Sequence, residues 1–161
     1  MSIPKVLAIM GLRSGSKGLP DKNIMDLCGF PLFTWVLSAA ERSSYVNRIF
    51  ISTDSSSYQN LINSYGNYAE WLRPPNISGD NCPEIEFVSH TLSTLENKYS
   101  YTPDIVVRLL ATVPLQLQED IDLAVSTLMD SDADSCVVVS ESRQHPMKSL
   151  RIVEDRNHQL L

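Results

Sequence analysis

The stretch Val6-Leu7-Ala8-Ile9-Met10-Gly11-Leu12-Arg13-Ser14-Gly15-Ser16-Lys17-Gly18-Leu19-Pro20-Asp21-Lys22-Asn23 changes character at Gly11. Lys5 to Met10 is a short apolar run, and such a run ending in glycine reads as a buried strand followed by a loop. The loop holds two close cations, a hydroxyl and two closely spaced glycines. Glycine lets backbone N–H groups approach phosphate oxygens while Arg and Lys neutralise them, so the segment reads as an anion cradle. A solvated surface turn would use the same residue types, but the place directly after the first strand favours the cradle. It is not a Walker A loop, because Gly11 and Gly15 enclose three residues and Lys17 precedes Gly18 rather than Ser or Thr. No GxGxxG can be laid over it either, so a dinucleotide-dependent oxidoreductase lacks its fingerprint.

Working outward, strands and helices alternate. Pro31 suits a first helical turn, and Leu32, Trp35, Val36, Ala39 and Ala40 recur at helical spacing behind it. Arg48 to Ser52 is a second strand. Asp54 or a neighbouring serine can cap the helix carrying Tyr58, Leu61, Ile62 and Tyr65, with Gly66 as its stop. Asn67 to Leu72 is a candidate short third strand before Arg73-Pro74-Pro75. Ile85, Val88, Leu92, Leu95 and Tyr99 mark a longer amphipathic helix. Asp104 to Leu110 is the clearest strand, interrupted only by Arg108. Gln118 to Met129 is a helix faced by Ile121, Ala124, Val125, Leu128 and Met129, Ser135 to Ser140 a strand, and Leu150 to Val153 the start of another. This order predicts an α/β fold of three layers, a mostly parallel sheet with helices on both faces. Ligands then lie beyond the carboxyl ends of the strands, at the loops after Met10, Ser52, Leu72, Leu110 and Ser140.

At 161 residues the chain is expected to form a single domain, residues 1–161. Apolar residues at 43% and charged residues at 20% exclude collagen-like and disordered classes. No apolar run approaches the roughly 18 residues of a membrane span, and no signal peptide is evident, so the expected location is cytoplasmic. Cys28, Cys82 and Cys136 have no metal-ligand spacing and read as reduced thiols. A net charge of −6 argues against non-specific nucleic-acid binding. Residues 1–24 nevertheless hold a local +3 from Lys5, Arg13, Lys17 and Lys22 against Asp21, leaving −9 on the rest. That asymmetry suits a small phosphorylated ligand.

At full length, Arg13, Ser16, Lys17, Gly18, Leu19, Pro20, Lys22 and Asn23 resemble the phosphate loop of the acylneuraminate cytidylyltransferases, whose signature is Arg-x-x-Ser-Lys-Gly-hydrophobic-Pro-x-Lys-Asn. Collinear similarities follow in Gly29-Phe30-Pro31-Leu32, Ile51-Ser52-Thr53-Asp54, Tyr65-Gly66, Arg73-Pro74, Ser78-Gly79-Asp80, Thr112-Val113-Pro114-Leu115, Ala133-Asp134-Ser135 and His145-Pro146. The resemblance implies a nucleotide-diphospho-sugar transferase-like fold and a nucleotidyltransferase. CTP would be the co-substrate, a nine-carbon acidic sugar of the nonulosonic type the acceptor, and magnesium the cofactor. In the same terms Arg13, Ser16, Lys17 and Lys22 would hold the triphosphate, Arg13 and Lys22 serving catalysis, and Asn23 and Arg73 would face the cytidine. An in-line displacement at phosphorus needs mainly positioning and charge neutralisation, which a basic loop can supply.

Ser14 stands where the family frequently has glycine, a change tolerable only at negative φ; the other departures from the pattern fall on the sugar side. Leu110, Val113 and Gln116 replace the family's amide, serine and arginine. Glu84 follows Asn81-Cys82-Pro83 where serines are common; it either alters acceptor contacts or sits in a helix first turn, where negative charge is favoured. The resemblance also implies a later segment that builds a homodimer and supplies the metal aspartates. This chain is expected to lack that segment, which would weaken the dimer and leaves a truncated, non-catalytic CTP- or CMP-binding module as the alternative. Asp120 and Asp122 read as first-turn helix residues, and Asp130, Asp132 and Asp134 as a solvated connector. Asp54 is the internal candidate for a metal or ribose contact. His90 reads as helix filler, while His145 either shapes a loop or meets the sugar.

Overall fold

The computed structural model describes residues 3–15, 18–79 and 81–141. Strand β1, Val6–Gly11, is the axis of the molecule: Val6 to Met10 are at most 1% exposed. A strand covered on both faces must be apolar at every position, which is why this run does not alternate. It pairs in parallel with β4, Arg48–Ser52, from Leu7↔Arg48 to Gly11↔Ser52. On its other edge it pairs in parallel with β5, Ile105–Leu109, from Val6↔Ile105 to Met10↔Leu109. The sheet order is therefore β4-β1-β5.

The alternation of β1 side chains divides the core in two. Ala8 and Met10 join Ile51 and Leu109 in a cluster closed by three helices. These are α1, Leu32–Arg42, through Phe33, Val36, Leu37, Ala39 and Ala40; α2, Ser56–Asn63, through Tyr58 and Ile62; and α4, Gln118–Met129, through Ile121 and Val125. Leu7 and Ile9 face the other way, with Phe50, and meet α3, Glu84–Tyr99, through Phe87 and Leu95. Trp71 stacks on Phe50 with ring centroids 4.2 Å apart. Helices on both faces of a parallel sheet are what the alternating sequence predicts.

Three local readings are corrected. The α3 face that reaches the sheet centres on Phe87, Thr91 and Leu95, spaced four apart, with Val88 and Leu92 packed beside it as expected, whereas Ile85 and Tyr99 are exposed. The candidate strand 67–72 is reduced to a parallel bridge, Thr53↔Leu72. Ile51 donates its amide to the Tyr68 carbonyl and Arg73 donates to Thr53, so the segment carries extra residues between its two points of attachment and bulges. Inside the bulge, Asn63 and Gln59 of α2 take the amide and carbonyl of Ala69 that a ladder would need. Residues 135–140 form no strand: Val137, Val138 and Val139 are exposed, and no described segment pairs with them. β-Branched composition gives pairing capacity, but a ladder needs a neighbour. The expected strand from Leu150 lies outside the described residues.

A hairpin not foreseen from the sequence, β2 (Asp26–Leu27) with β3 (Phe30–Pro31), precedes α1. Its two turn residues, Cys28 and Gly29, have φ of 56° and 89°. Two successive positive φ values describe the tight turn that matches strand twist. The α2 cap is Ser55, whose hydroxyl accepts from the Tyr58 amide.

Phe33 is fully buried where α1 meets the sheet, edge-on to Tyr65 at 5.7 Å between centroids. Phe33→Ala is expected to lower the unfolding free energy by about 3–5 kcal/mol, read from urea denaturation.

Candidate active site

In a sheet of this order β1 stands at the switch point, with its neighbours reached by connections running to opposite sides. Ligands bind outside the carboxyl end of such a strand. The β1 ladder runs one residue past the strand, where the Leu12 amide donates to the Ser52 carbonyl at 2.9 Å. The basic loop begins there and is pinned at both ends. At one end the Ser14 amide donates to Asp54 Oδ1 at 2.8 Å and its hydroxyl to Oδ2 at 3.2 Å. At the other, the Tyr58 hydroxyl donates to Asp21 Oδ1 at 2.7 Å. Asp54 ends the β4 connection and Tyr58 belongs to α2, so one corner of the molecule holds both ends of the loop.

Between the pins the backbone turns through Gly15 at φ 69°, with nothing within 4 Å of where a Cβ would stand. Ser14 is not among the positive-φ residues, so serine is tolerated there without strain. Ser16 and Lys17 lie outside the described residues. Lys22 sits on a single 3-10 turn, Lys22–Ile24, entered by Asp21 at φ 51°. Asn23 is buried beneath the loop and one of its amide protons goes to the Arg13 carbonyl at 3.4 Å.

The cleft itself has a volume of about 220 Å³ and lies on the α3 side of the β1 end. Gly11, Arg13, Arg73, Gly79, Cys82, Glu84 and Phe87 line it. Arg73 is 7% exposed, and its Nε and Nη2 donate to Ser52 Oγ at 3.0 Å and to the Ser52 carbonyl at 2.8 Å. Its guanidinium lies 4.6 Å from the Phe87 ring centre, a cation–π contact. Gly11 makes this stack possible: a Cβ there would approach Phe87 Cζ to 2.9 Å and Arg73 Nη2 to 3.4 Å.

Burial pulls the Arg73 guanidinium down from its ordinary value; Asp54 and Cys82 oppose that, and Arg13 adds to it. A guanidinium keeps its proton in proteins, so the shift measures the cost of burying the charge. An anion or a polar ring placed in the cleft would relieve that cost. His90, one turn beyond Phe87 on α3, is lowered by burial and then by Arg73 and Lys98, and its Nδ1 has no partner among the described residues.

Of the residues singled out from sequence, Arg13 and Arg73 share the cleft and Asn23 supports Arg13 from below. Lys22 stands beside Asn23 but not on the cleft wall. Asp54 spends its carboxylate on Ser14. Asp120 accepts from the Leu117 amide at 3.0 Å, as a helix cap does, and Asp122 accepts from the Ser43 hydroxyl at 2.5 Å and the Ser44 amide. Among the described residues no group of three or more His, Cys, Asp and Glu is placed to hold a metal ion. Sequence reasoning missed Phe87 and the roles of Gly11 and Ser52. The four-residue spacing of Phe87, Thr91 and Leu95 was the signal for the first.

A family model described as Cytidylyltransferase matches residues 7–158. The chain belongs to the cytidylyltransferase family. The N-acylneuraminate cytidylyltransferase of Escherichia coli O18:K1:H7 (strain RS218 / NMEC) is 32% identical over 152 residues, 94% of this chain and 35% of that protein. The CMP-N,N'-diacetyllegionaminic acid synthase of Legionella pneumophila is 35% identical over 124 residues, 75% of this chain and 52% of that protein. Among solved structures, a CMP:2-keto-3-deoxy-manno-octonic acid synthetase complexed with CTP superposes with a TM-score of 0.64 at 19% identity, covering 80% of this chain and 49% of that one. A 4-diphosphocytidyl-2C-methyl-D-erythritol synthase gives 0.61 at 12% identity, over 89% of this chain and 67% of that one. At those identities the superpositions establish the nucleotidyltransferase fold. The chain spans about a third of the length of the N-acylneuraminate relatives it matches.

Gly11→Ala is expected to push Phe87 from beneath Arg73 and to destabilise the protein by about 1–3 kcal/mol in thermal or urea unfolding. Burial, then the hydrogen bond and charge of Asp21 and the charge of Asp54, hold Tyr58 well above its ordinary value. A raised folded-state value means its stabilising contribution is intact below about pH 10 and is lost as pH rises past the unfolded value. Tyr58→Phe is expected to flatten the loss of stability above pH 10, measured by unfolding titrations from pH 8 to 11.

Proposed function

We propose that this chain is the nucleotide-binding part of a cytidylyltransferase that transfers CMP from CTP to the anomeric hydroxyl of a nine-carbon, sialic-type acid. The hydroxyl oxygen forms the new bond to the α-phosphorus, the bridge to the β-phosphate breaks, pyrophosphate leaves and the hydroxyl proton is lost to solvent or base. The observation that carries this reading is the juxtaposition of two arginines, Arg13 and Arg73, with a loop pinned by Asp54 and Asp21 at the carboxyl end of β1.

In this proposal Arg13, Ser16, Lys17 and Lys22 bind the triphosphate, and Arg13 and Lys22 offset the charge that develops as pyrophosphate departs. Arg73 and Asn23 attend the cytidine. The one donor that Asn23 gives to Arg13 leaves it a second amide proton and its carbonyl oxygen. Magnesium usually keeps several waters and binds through one or two carboxylates plus substrate phosphates. No three acidic or imidazole side chains among the described residues cluster into a cage for it, so magnesium would enter with the triphosphate. A single nucleotide-binding domain over 1–161, a homodimer and a cytoplasmic location complete the reading. No described helix is long and apolar enough to cross a membrane.

CTP at about 100 times its Kd is expected to raise the unfolding free energy by about 2.7 kcal/mol, with ATP and NAD at the same concentration giving none of this. Equal indifference to all three nucleotides overturns the proposal. Arg13→Ala is expected to weaken CTP about tenfold or more, whereas Lys22→Ala lowers pyrophosphate release about a hundredfold with little change in CTP affinity. CTP binding without pyrophosphate release, with sialic, legionaminic and pseudaminic acids all supplied, would select the non-catalytic binding module.

A further inference from the structure

Arg108 is the one charged residue in β5, whose other members are Ile105, Val106, Val107 and Leu109. Its strand partner in β1 is Ile9, which faces α3. Gly11 follows Ile9 on the same face, two residues nearer the carboxyl end, or about 6–7 Å along the strand. Arg108 therefore lies on the cleft side of the sheet, one strand over and one pleat below the wall that Gly11 forms. Its guanidinium is ion-paired to Glu84, the first residue of α3 and part of the cleft wall. On its other side Arg108 lines a groove of about 590 Å³ running along β5 to Leu110 and Gln116. The pair is thus the partition between the nucleotide cleft and the groove beside it.

Stability does not account for the pair. The two side chains are 47% and 54% exposed, and ion pairs at such positions contribute little. Glu84 already gains from the amino end of α3 without Arg108. A guanidinium in the middle of a strand otherwise made of branched apolar residues gives up apolar contact for a planar fork, and that fork matches a carboxylate through two parallel hydrogen bonds.

We propose that Arg108 is the receptor for the carboxylate of the acceptor acid, and that Glu84 occupies it in the empty protein as an internal stand-in. The incoming acid enters from the β5 groove and displaces Glu84 from the guanidinium. Its sugar ring is thereby held against the partition beyond which the nucleotide lies. The exchange replaces one carboxylate by another, so it costs little and selects for acids over neutral sugars. Arg108 acts in binding and specificity, and this assignment rests on the reading of the chain as a transferase to a sugar acid.

The test is calorimetric titration of the 161-residue chain with CTP, and with N-acetylneuraminic, legionaminic and pseudaminic acids with and without CTP. The methyl ester of the tightest-binding acid is included. Arg108→Gln is expected to weaken the acid about tenfold or more and to abolish the preference for acid over ester, with CTP affinity changed less than about threefold. Arg108→Lys restores part of the preference, because charge without the fork binds more weakly. Glu84→Gln tightens the acid. Unchanged acid-over-ester preference in Arg108→Gln overturns the proposal, as does a Glu84→Gln variant that loses acid affinity as Arg108→Gln does, since the pair is then only a staple between α3 and β5. Binding of CTP without any acid overturns this subsite alone. Arg108-dependent binding of acid without CTP overturns the cytidylyltransfer reading alone. Binding of neither overturns both.

Discussion

The end of β1 has room for a backbone and nothing more. Gly11 is flanked by Ser52 in its ladder, and the Phe87 ring occupies the space a side chain would fill, with Arg73 in contact beside it. From this contact follow the stack of Arg73 on Phe87, the two hydrogen bonds from Arg73 to Ser52, and the position of α3, whose Phe87 must lie over a residue without a Cβ. Burying a guanidinium is costly, and here two protein acceptors and an aromatic face offset that cost. The remaining capacity of the cation points into the cleft. A strand that had to be apolar for packing reasons thus ends at the one position where charge can be brought next to the sheet.

Charge in this molecule is arranged by function more than by its total. The net −6 is spread over surfaces and helix starts, while Arg13 and Arg73 meet at the carboxyl end of β1. Asp54 and Asp21 each accept a hydrogen bond that fixes one end of the loop, and Asp54 also offsets part of the buried charge of Arg73. Asp54, which accepts both of its hydrogen bonds from Ser14, keeps further lone pairs for a ligand.

Much of the fold was legible because its core strands are short runs with apolar centres bounded by turn residues. Val6 to Met10 and Arg48 to Ser52 needed no tertiary knowledge, and the span of α4 was read to the residue. What was not legible depended on competition between partners. The bulge at Ala69 exists because Asn63 and Gln59 capture its backbone groups, a contest that β-propensity does not describe. The Cys28-Gly29 turn was hidden because cysteine is a rare occupant of positive φ. At the site, the loop's chemistry could be read from its residue types, and its resemblance supplied Arg73. The partnership of Phe87 with Gly11 could not be read, since it joins residues 76 positions apart through a contact that only the packed helix creates.

The double pinning of the loop ties it thermodynamically to α2. Ser14 is held by Asp54, directly before the Ser55 cap, and Asp21 by Tyr58 within the first turn of α2. Any ligand that binds the loop better when those pins are made must also favour a formed α2, and whatever steadies α2 must favour the ligand by the same free energy. Ile62, fully buried one turn after Tyr58 on the same face of that helix, is thereby placed where packing changes are read out as affinity.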